Sequence, residues 1–297
     1  MSFAEDLDYG LFNEYLNGFM VSKAMFTACE LGVFDLLESE GFLTFNVIAE
    51  RLGTNSHGME QLLDICVTLK LLKVEMKKGK ALYQNTELAT LYLTKSGPKS
   101  QYNMLLYMSK TTYSCWNHLT EAIREGKNQY MRTFGIPSDD LFEAIYRSEE
   151  ELVKFMHGLH EIWSINGRDV ITAFDLSPFP LIYDLGGDFF RDAIPEADLY
   201  ILARILHDWA DKKCIQLLTN IHQACKPGCG VLVVETLLAE DKRGPLTSQL
   251  YSMNMLVQTE GKERTPTEYQ ELFTQAGFQD FQFKKTGKIY DAILARK

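Results

Sequence analysis

The chain has 297 residues, 46 % of them hydrophobic, and a formal net charge of −10. That is enough apolar material for one large or two ordinary domains. The charge argues against a general binder of phosphate backbones, which needs a basic face, so no nucleic-acid partner is expected. Met1–Gly10 is acidic and lacks the apolar core of a signal peptide. No apolar run reaches membrane-spanning length, so neither a membrane partner nor a secreted location is expected, and the chain reads as cytoplasmic.

The six cysteines are Cys29, Cys66, Cys115, Cys214, Cys225 and Cys229. Most lie in apolar helical or strand-edge contexts, where free thiols are ordinary core residues. Cys225 and Cys229 have no matching histidine or cysteine pair, so no metal site is expected. All six are expected to be reduced.

In chain order, the first third is helical. Leu16, Phe19, Met20, Ala24, Phe26 and Ala28 make a wide apolar face, with a turn at Gly32. A short helix over Phe45–Leu52 ends at Gly53, and Asn55 or Ser56 starts the next, which carries Leu62, Leu63, Ile65, Cys66 and Leu69. Leu72–Glu75 and Ala81–Gln84 flank the turn Lys77-Lys78-Gly79-Lys80 and predict a hairpin. Two short helices followed by a hairpin outline a winged helix. Its would-be recognition helix carries Glu60 and Asp64 and only Lys70 as a firm cation, which favours a structural or dimerising role over DNA binding.

Ser100–Phe174 is again helical, with a break at Thr133-Phe134-Gly135-Ile136-Pro137. From Leu181 the pattern changes to short strands between helices, the order of an α/β sheet. Leu181–Leu185 runs into Gly186-Gly187, Asp198–Leu206 into His207-Asp208-Trp209, and Val231–Val234 into Glu235. Thr265-Pro266-Thr267-Glu268 is a capping-box helix start, and Gly277 stops that helix. Phe281–Phe283 and Tyr290–Leu294 close the chain as a hairpin.

Ligands of open α/β sheets bind past the carboxyl ends of the strands. His207 and Glu235 follow neighbouring strands. A histidine beside a carboxylate is the usual way to fix an imidazole tautomer and use it as a base. A lone pair of this kind is more often structural than catalytic.

The segments ILARILHDWAD, ACKPGCGVLVVE and SMNMLVQTEGKERT, with the capping box behind them, resemble the S-adenosylmethionine-dependent O-methyltransferases of small phenolic compounds. The resemblance covers essentially the whole chain. It implies a winged-helix dimerisation domain over residues 1–100 and a homodimer. It implies a Rossmann-like methyltransferase domain, with a helical linker, over residues 101–297. It also implies S-adenosylmethionine as methyl donor and a small hydroxyindole as substrate, with His207 taking the proton of its hydroxyl and Glu235 and Glu263 steadying the imidazolium. Asp208, Asn254 and Gln258 match substrate contacts. Tyr146, Trp163, Gly187, Asp188, Phe189 and Arg204 match cofactor contacts. On the residues alone the plainer readings are favoured: Trp163 as core, Asn254 and Gln258 as a polar surface stripe, and Glu263 as a solvated loop residue.

One departure stands out. After the first strand the family has a glycine-rich turn opening a helix, and a second strand ending in an acid for the ribose hydroxyls, roughly twenty residues on. Here Asp184-Leu185-Gly186-Gly187 runs directly into Asp188-Phe189-Phe190, which looks like a much later family segment. The clean junction reads as a skipped coding segment. A truncated sheet, an exposed sheet edge and weakened cofactor binding are expected from it. A catalytically impaired, dimerising protein is the alternative function, and a winged-helix regulator ranks third.

Overall fold

The computed structural model describes residues 3–136, 146 and 148–297. Pro137, at the end of the break expected near Gly135, lies outside them. The chain divides into two compact units, residues 1–111 with 148–162, and residues 112–147 with 163–297.

The first unit begins with a long helix, α1 (Phe3–Leu31), and turns at Gly32 into α2 (Val33–Glu40). Gly32 has φ 83, a left-handed conformation that glycine adopts without a Cβ clash. Next come α3 (Phe45–Arg51), α4 (Ser56–Thr68), the strands β1 (Leu72–Lys77) and β2 (Lys80–Asn85), α5 (Glu87–Tyr92) and α6 (Tyr102–Tyr107). Asn55 caps α4 by accepting the Gly58 N–H at 3.1 Å. The β1–β2 hairpin pairs antiparallel from Leu72↔Asn85 to Lys77↔Lys80, with the register its turn predicts. The core gathers Ala28, Phe34, Leu37, Ile48, Leu63 and Leu72. By contrast Phe12, Tyr15, Leu16 and Phe19 on α1 are exposed.

The second unit contains the short helices α7 (Tyr113–Trp116), α8 (Leu119–Glu125) and α9 (Tyr130–Phe134). A long helix, α10 (Glu149–Ile171), gives its first part to the first unit and its remainder to the second. A five-stranded sheet follows, built from β3 (Ile182–Asp184), β4 (Leu199–Ala203), β5 (Gly230–Glu235), β6 (Gln279–Lys285) and β7 (Asp291–Arg296). Its order is β3-β4-β5-β7-β6, parallel across β3-β4-β5 and antiparallel beyond. Alternate residues Tyr200, Leu202, Val231, Val233, Ile293 and Ala295 face a core shared with α11 (Asp211–Ala224) and α13 (Pro266–Ala276). The remaining helix, α12 (Leu246–Gln258), lies between β5 and α13 in sequence.

Parallel neighbours normally need a crossover helix, yet β3 and β4 pair directly through the helix-free loop Leu185–Asp198. Ala197 N–H donates to Tyr200 Oη, which itself donates to Pro195 O, and these bonds hold the loop against β4. The second strand ends at Ala203 rather than Leu206, because Arg204 takes φ 58 and turns the chain into a 3-10 turn at Leu206–Asp208. Cys225 and Cys229 are not both free thiols. The Lys226-Pro227-Gly228 turn brings their Cα atoms within 5.7 Å, and they form a disulfide. Cys29, Cys66, Cys115 and Cys214 are buried free thiols as expected. Burial pushes Cys29 and Cys214 up to about 12 and Cys66 to about 11, so they stay protonated.

The sheet ends at β3. Among the described residues β3 has β4 on one side and no strand on the other, and Leu181, Ile182 and Tyr183 are 54 %, 42 % and 37 % exposed.

Candidate active site

The site forms where β4 and β5 end. Glu235 is the last residue of β5 and is fully buried. Its Oε1 accepts the backbone N–H groups of Leu206 and His207 at 3.0 and 3.3 Å, and its Oε2 meets His207 Nδ1 at 3.0 Å. Glu235 therefore orients both the turn and the ring. His207 Nε2 faces Asp208 Oδ1 at 3.2 Å.

Arg204 completes the arrangement. Its guanidinium bonds Glu235 Oε2 at 2.7 Å and holds Glu263 through two contacts, 2.6 and 3.1 Å. Tyr290 and Tyr251 lie beside it, with ring centroids 5.2 and 6.0 Å from Cζ. Glu263 is 1 % exposed, which excludes the solvated reading. Both of its oxygens face Arg204, so it reaches the imidazole only through Arg204 and Glu235.

The charges explain the proton affinities. Burial and the Arg204 charge pull the His207 value down. The Asp208 and Glu235 carboxylates outweigh them and hold it above the ordinary imidazole value. Burial works against ionised Glu235, but His207 and Arg204 win and keep it below the usual carboxylate range. Asp208 is raised, chiefly by burial.

Several residues here had no sequence motif of their own. Arg264, 1 % exposed, donates to Leu206 O at 2.9 Å and Trp209 O at 2.7 Å, and pairs with Asp211. It thus clamps both ends of the His207 turn. Gly261 lies under that turn so closely that an added Cβ would be 2.0 Å from His207 O. The signal available was local, since both residues belong to the EGKERT string that carried Glu263.

Asn254 and Gln258 are one turn apart on α12 and bonded to each other, Gln258 Nε2 to Asn254 Oδ1 at 2.7 Å. Trp116 Nε1 donates to the same oxygen at 2.8 Å, and Tyr130 Oη donates to Gln258 Oε1 at 3.1 Å. Neither Trp116 nor Tyr130 was singled out in the sequence.

The residues matched to the cofactor are placed differently. Tyr146 is half-buried, and burial and the Asp208 charge raise its phenol. Trp163 lies on α10 with the Gly167 backbone against its indole, where an added Cβ would be 2.9 Å away. Gly187 has φ 83, and beyond it the Asp188 N–H is taken by Asp192 Oδ2 at 3.2 Å. The Asp188 carboxylate accepts the Phe190 N–H at 3.3 Å and faces Arg191 at 3.6 Å. Phe189 is buried against Phe190 and Trp209.

Comparison with known proteins identifies the architecture. Residues 13–95 match the O-methyltransferase dimerisation domain, and residues 116–188 and 185–279 match the O-methyltransferase domain. The chain belongs to the S-adenosylmethionine-dependent O-methyltransferase family. It is 56 % identical to acetylserotonin O-methyltransferase of Macaca mulatta and 56 % identical to that of Gallus gallus, covering all of both chains in each case. The crystal structure of human N-acetylserotonin methyltransferase in complex with SAM superposes with a TM-score of 0.97 at 55 % identity, covering 100 % of this chain and 99 % of that one. The macaque alignment spans 345 positions against 297 residues here, so 48 positions have no counterpart in this chain. The two stretches matching the O-methyltransferase domain meet at residues 185–188, where the junction was read from sequence.

S-adenosylmethionine is the methyl donor of this family. The residues present do not make a full cradle for it. Among the described residues, no helix opens directly past β3 and no strand beside it ends in a ribose-binding acid, and the Asp188 N–H is occupied by Asp192. The proton-handling half of the site is assembled around His207 and Glu235.

Proposed function

We propose that this chain is an N-acetylserotonin O-methyltransferase of the melatonin-forming type, with its substrate half intact and its cofactor half weakened. The observation that carries this reading is the His207–Glu235 pair at adjoining strand ends, bonded at 3.0 Å and buried. His207 takes the proton of the substrate 5-hydroxyl. On reference values that transfer is uphill, from a phenol at about 10 to an imidazole at about 6.5. The raised His207 value narrows the gap, and Glu235 stabilises the imidazolium that forms. With Nδ1 committed to Glu235, Nε2 is the nitrogen that accepts the proton. A phenol arriving there takes the place of Asp208 and stays within its reach, while Asn254, braced by Gln258, holds the far end of the substrate.

The winged-helix outline of the first unit, the match to a dimerisation domain and the exposed apolar side chains of α1 support a homodimer built through that unit. Light scattering on the purified chain tests this, and a monodisperse monomer at micromolar concentration would refute it.

Conversion of N-acetylserotonin, followed chromatographically at millimolar S-adenosylmethionine, tests the activity. Product that disappears in His207→Ala supports the proposal. A folded dimer with no product at any cofactor concentration would leave a dimerising, non-catalytic protein instead.

A further inference from the structure

The amide pair on α12 carries directional information that follows from the chemistry of its neighbours. An indole nitrogen only donates. The Asn254 atom 2.8 Å from Trp116 Nε1 must therefore be the carbonyl oxygen. The same oxygen accepts Gln258 Nε2 at 2.7 Å, which fills both of its lone pairs. Gln258 is fixed in turn. Its nitrogen faces Asn254 and Thr112 Oγ1, the latter at 3.3 Å, and its oxygen accepts the Tyr130 hydroxyl at 3.1 Å. Tyr130 is fully buried and Gln258 is 5 % exposed, so this chain has little room to rearrange. What remains of the Asn254 carboxamide is its NH2 group, two donors on a half-buried side chain. Tyr251, Asn254 and Gln258 share one face of α12 at helical spacing. Tyr251 on that face lies beside Arg204, which is bonded to the carboxylate that holds His207. Asn254 therefore lies on the face of α12 that Tyr251 presents to Arg204.

We infer that Trp116 and Tyr130 are positioning residues that make the Asn254 end of the site a donor-only subsite, selecting an N-acylated arylethylamine over the free amine. The acyl carbonyl accepts from Asn254 Nδ2. A free ammonium brings only donors, so it meets N–H against N–H and gives up its hydration without replacement. This rests on the proposed reaction at His207, and it adds the determinant that distinguishes the two ends of an otherwise similar indole.

The test uses the full chain and two probes, N-acetyl-5-hydroxytryptamine and 5-hydroxytryptamine, titrated calorimetrically. The intact chain is expected to favour the N-acetyl probe. Trp116→Phe keeps the ring and removes one of the two donors that fix the Asn254 oxygen, so the amide is held by Gln258 Nε2 alone and turns its oxygen outward more readily. The preference should fall about tenfold, the size of one hydrogen bond left unmade. Asn254→Asp, an acceptor at the same position, should shift the preference toward the free amine. A Trp116→Phe chain that binds both probes with undiminished preference overturns the proposal. If the intact chain binds neither probe, the reading of the site as an indole pocket fails on its own. The positioning claim is then decided by the Trp116 indole proton in NMR hydrogen exchange. Exchange slower in the intact chain than in Asn254→Leu supports it, and equal rates in the two refute it.

Discussion

His207 meets a carboxylate on each ring nitrogen, Glu235 at Nδ1 and Asp208 at Nε2. Two consequences follow. Catalysis needs the neutral ring, so the rate should rise with pH through the raised His207 value and level off above it. His207→Ala should lower turnover by about two orders of magnitude or more, the usual loss for a general base, and a variant with undiminished turnover would exclude the role. Stability should move the other way. His207 is raised above its ordinary 6.5, so its contribution is complete below 6.5 and disappears as pH rises through the folded value. Glu235 is lowered from its ordinary 4.5, so its contribution is complete above 4.5 and disappears as pH falls through the folded value. Asp208, raised from 3.8, loses stability with rising pH as His207 does. The melting temperature should therefore decline as pH rises above 6.5. His207→Asn should flatten that decline, and an equally steep slope in the variant would show that other groups cause it.

At the scale of the element, the His207 turn is held from below by the loop that leads into α13. Gly261 supplies the close approach and Arg264 the clamp. In Gly261→Ala the new Cβ would meet backbone atoms at 2.0 and 2.6 Å, and backbone cannot move aside as a flexible side chain can. The substitution should displace the turn, costing activity out of proportion to stability. Undiminished turnover with an unchanged melting temperature would contradict this. The start of α13 is a full capping box, with Thr265 Oγ1 accepting the Glu268 N–H at 3.2 Å and Glu268 accepting the Thr265 N–H at 3.0 Å. Thr265→Ala should cost about 1 kcal/mol in denaturant unfolding. That box was readable in sequence because it depends on residues three apart. So were the turn at Gly32, a helix start at Asn55 or Ser56 and the β1–β2 hairpin. The end of β4 was not, since Arg204 is drawn into a left-handed conformation by tertiary bonds to Glu235 and Glu263. The role of Arg204 was hidden for the same reason: its partners lie 31 and 59 residues away. Cys225 and Cys229 were misread because only the folded turn shows their separation.

At the scale of the whole molecule, the missing 48 positions act on the cofactor and on the sheet together. A charge-assisted hydrogen bond is worth about 1.5–3 kcal/mol, and each 1.4 kcal/mol is about tenfold in affinity. Without the ribose-binding acid and the helix N-terminus, S-adenosylmethionine should bind at least a hundredfold more weakly than to an uninterrupted relative. The same loss leaves β3 at the edge with unpaired backbone groups and exposed Leu181, Ile182 and Tyr183, a template for pairing with another chain. A chimera separates the two effects from general misfolding. Inserting the corresponding segment of the macaque relative after Gly187 should restore cofactor binding in calorimetry and reduce concentration-dependent aggregation, while the N-terminal dimer stays as it was. Mutating only the exposed edge, with Ile182→Lys, should reduce aggregation and leave cofactor affinity low. Micromolar cofactor binding by the uninserted, soluble chain would show that the segment is dispensable. It would also show that Gly187, Asp188 and Arg204 hold the cofactor in an arrangement other than the one their present hydrogen bonds describe.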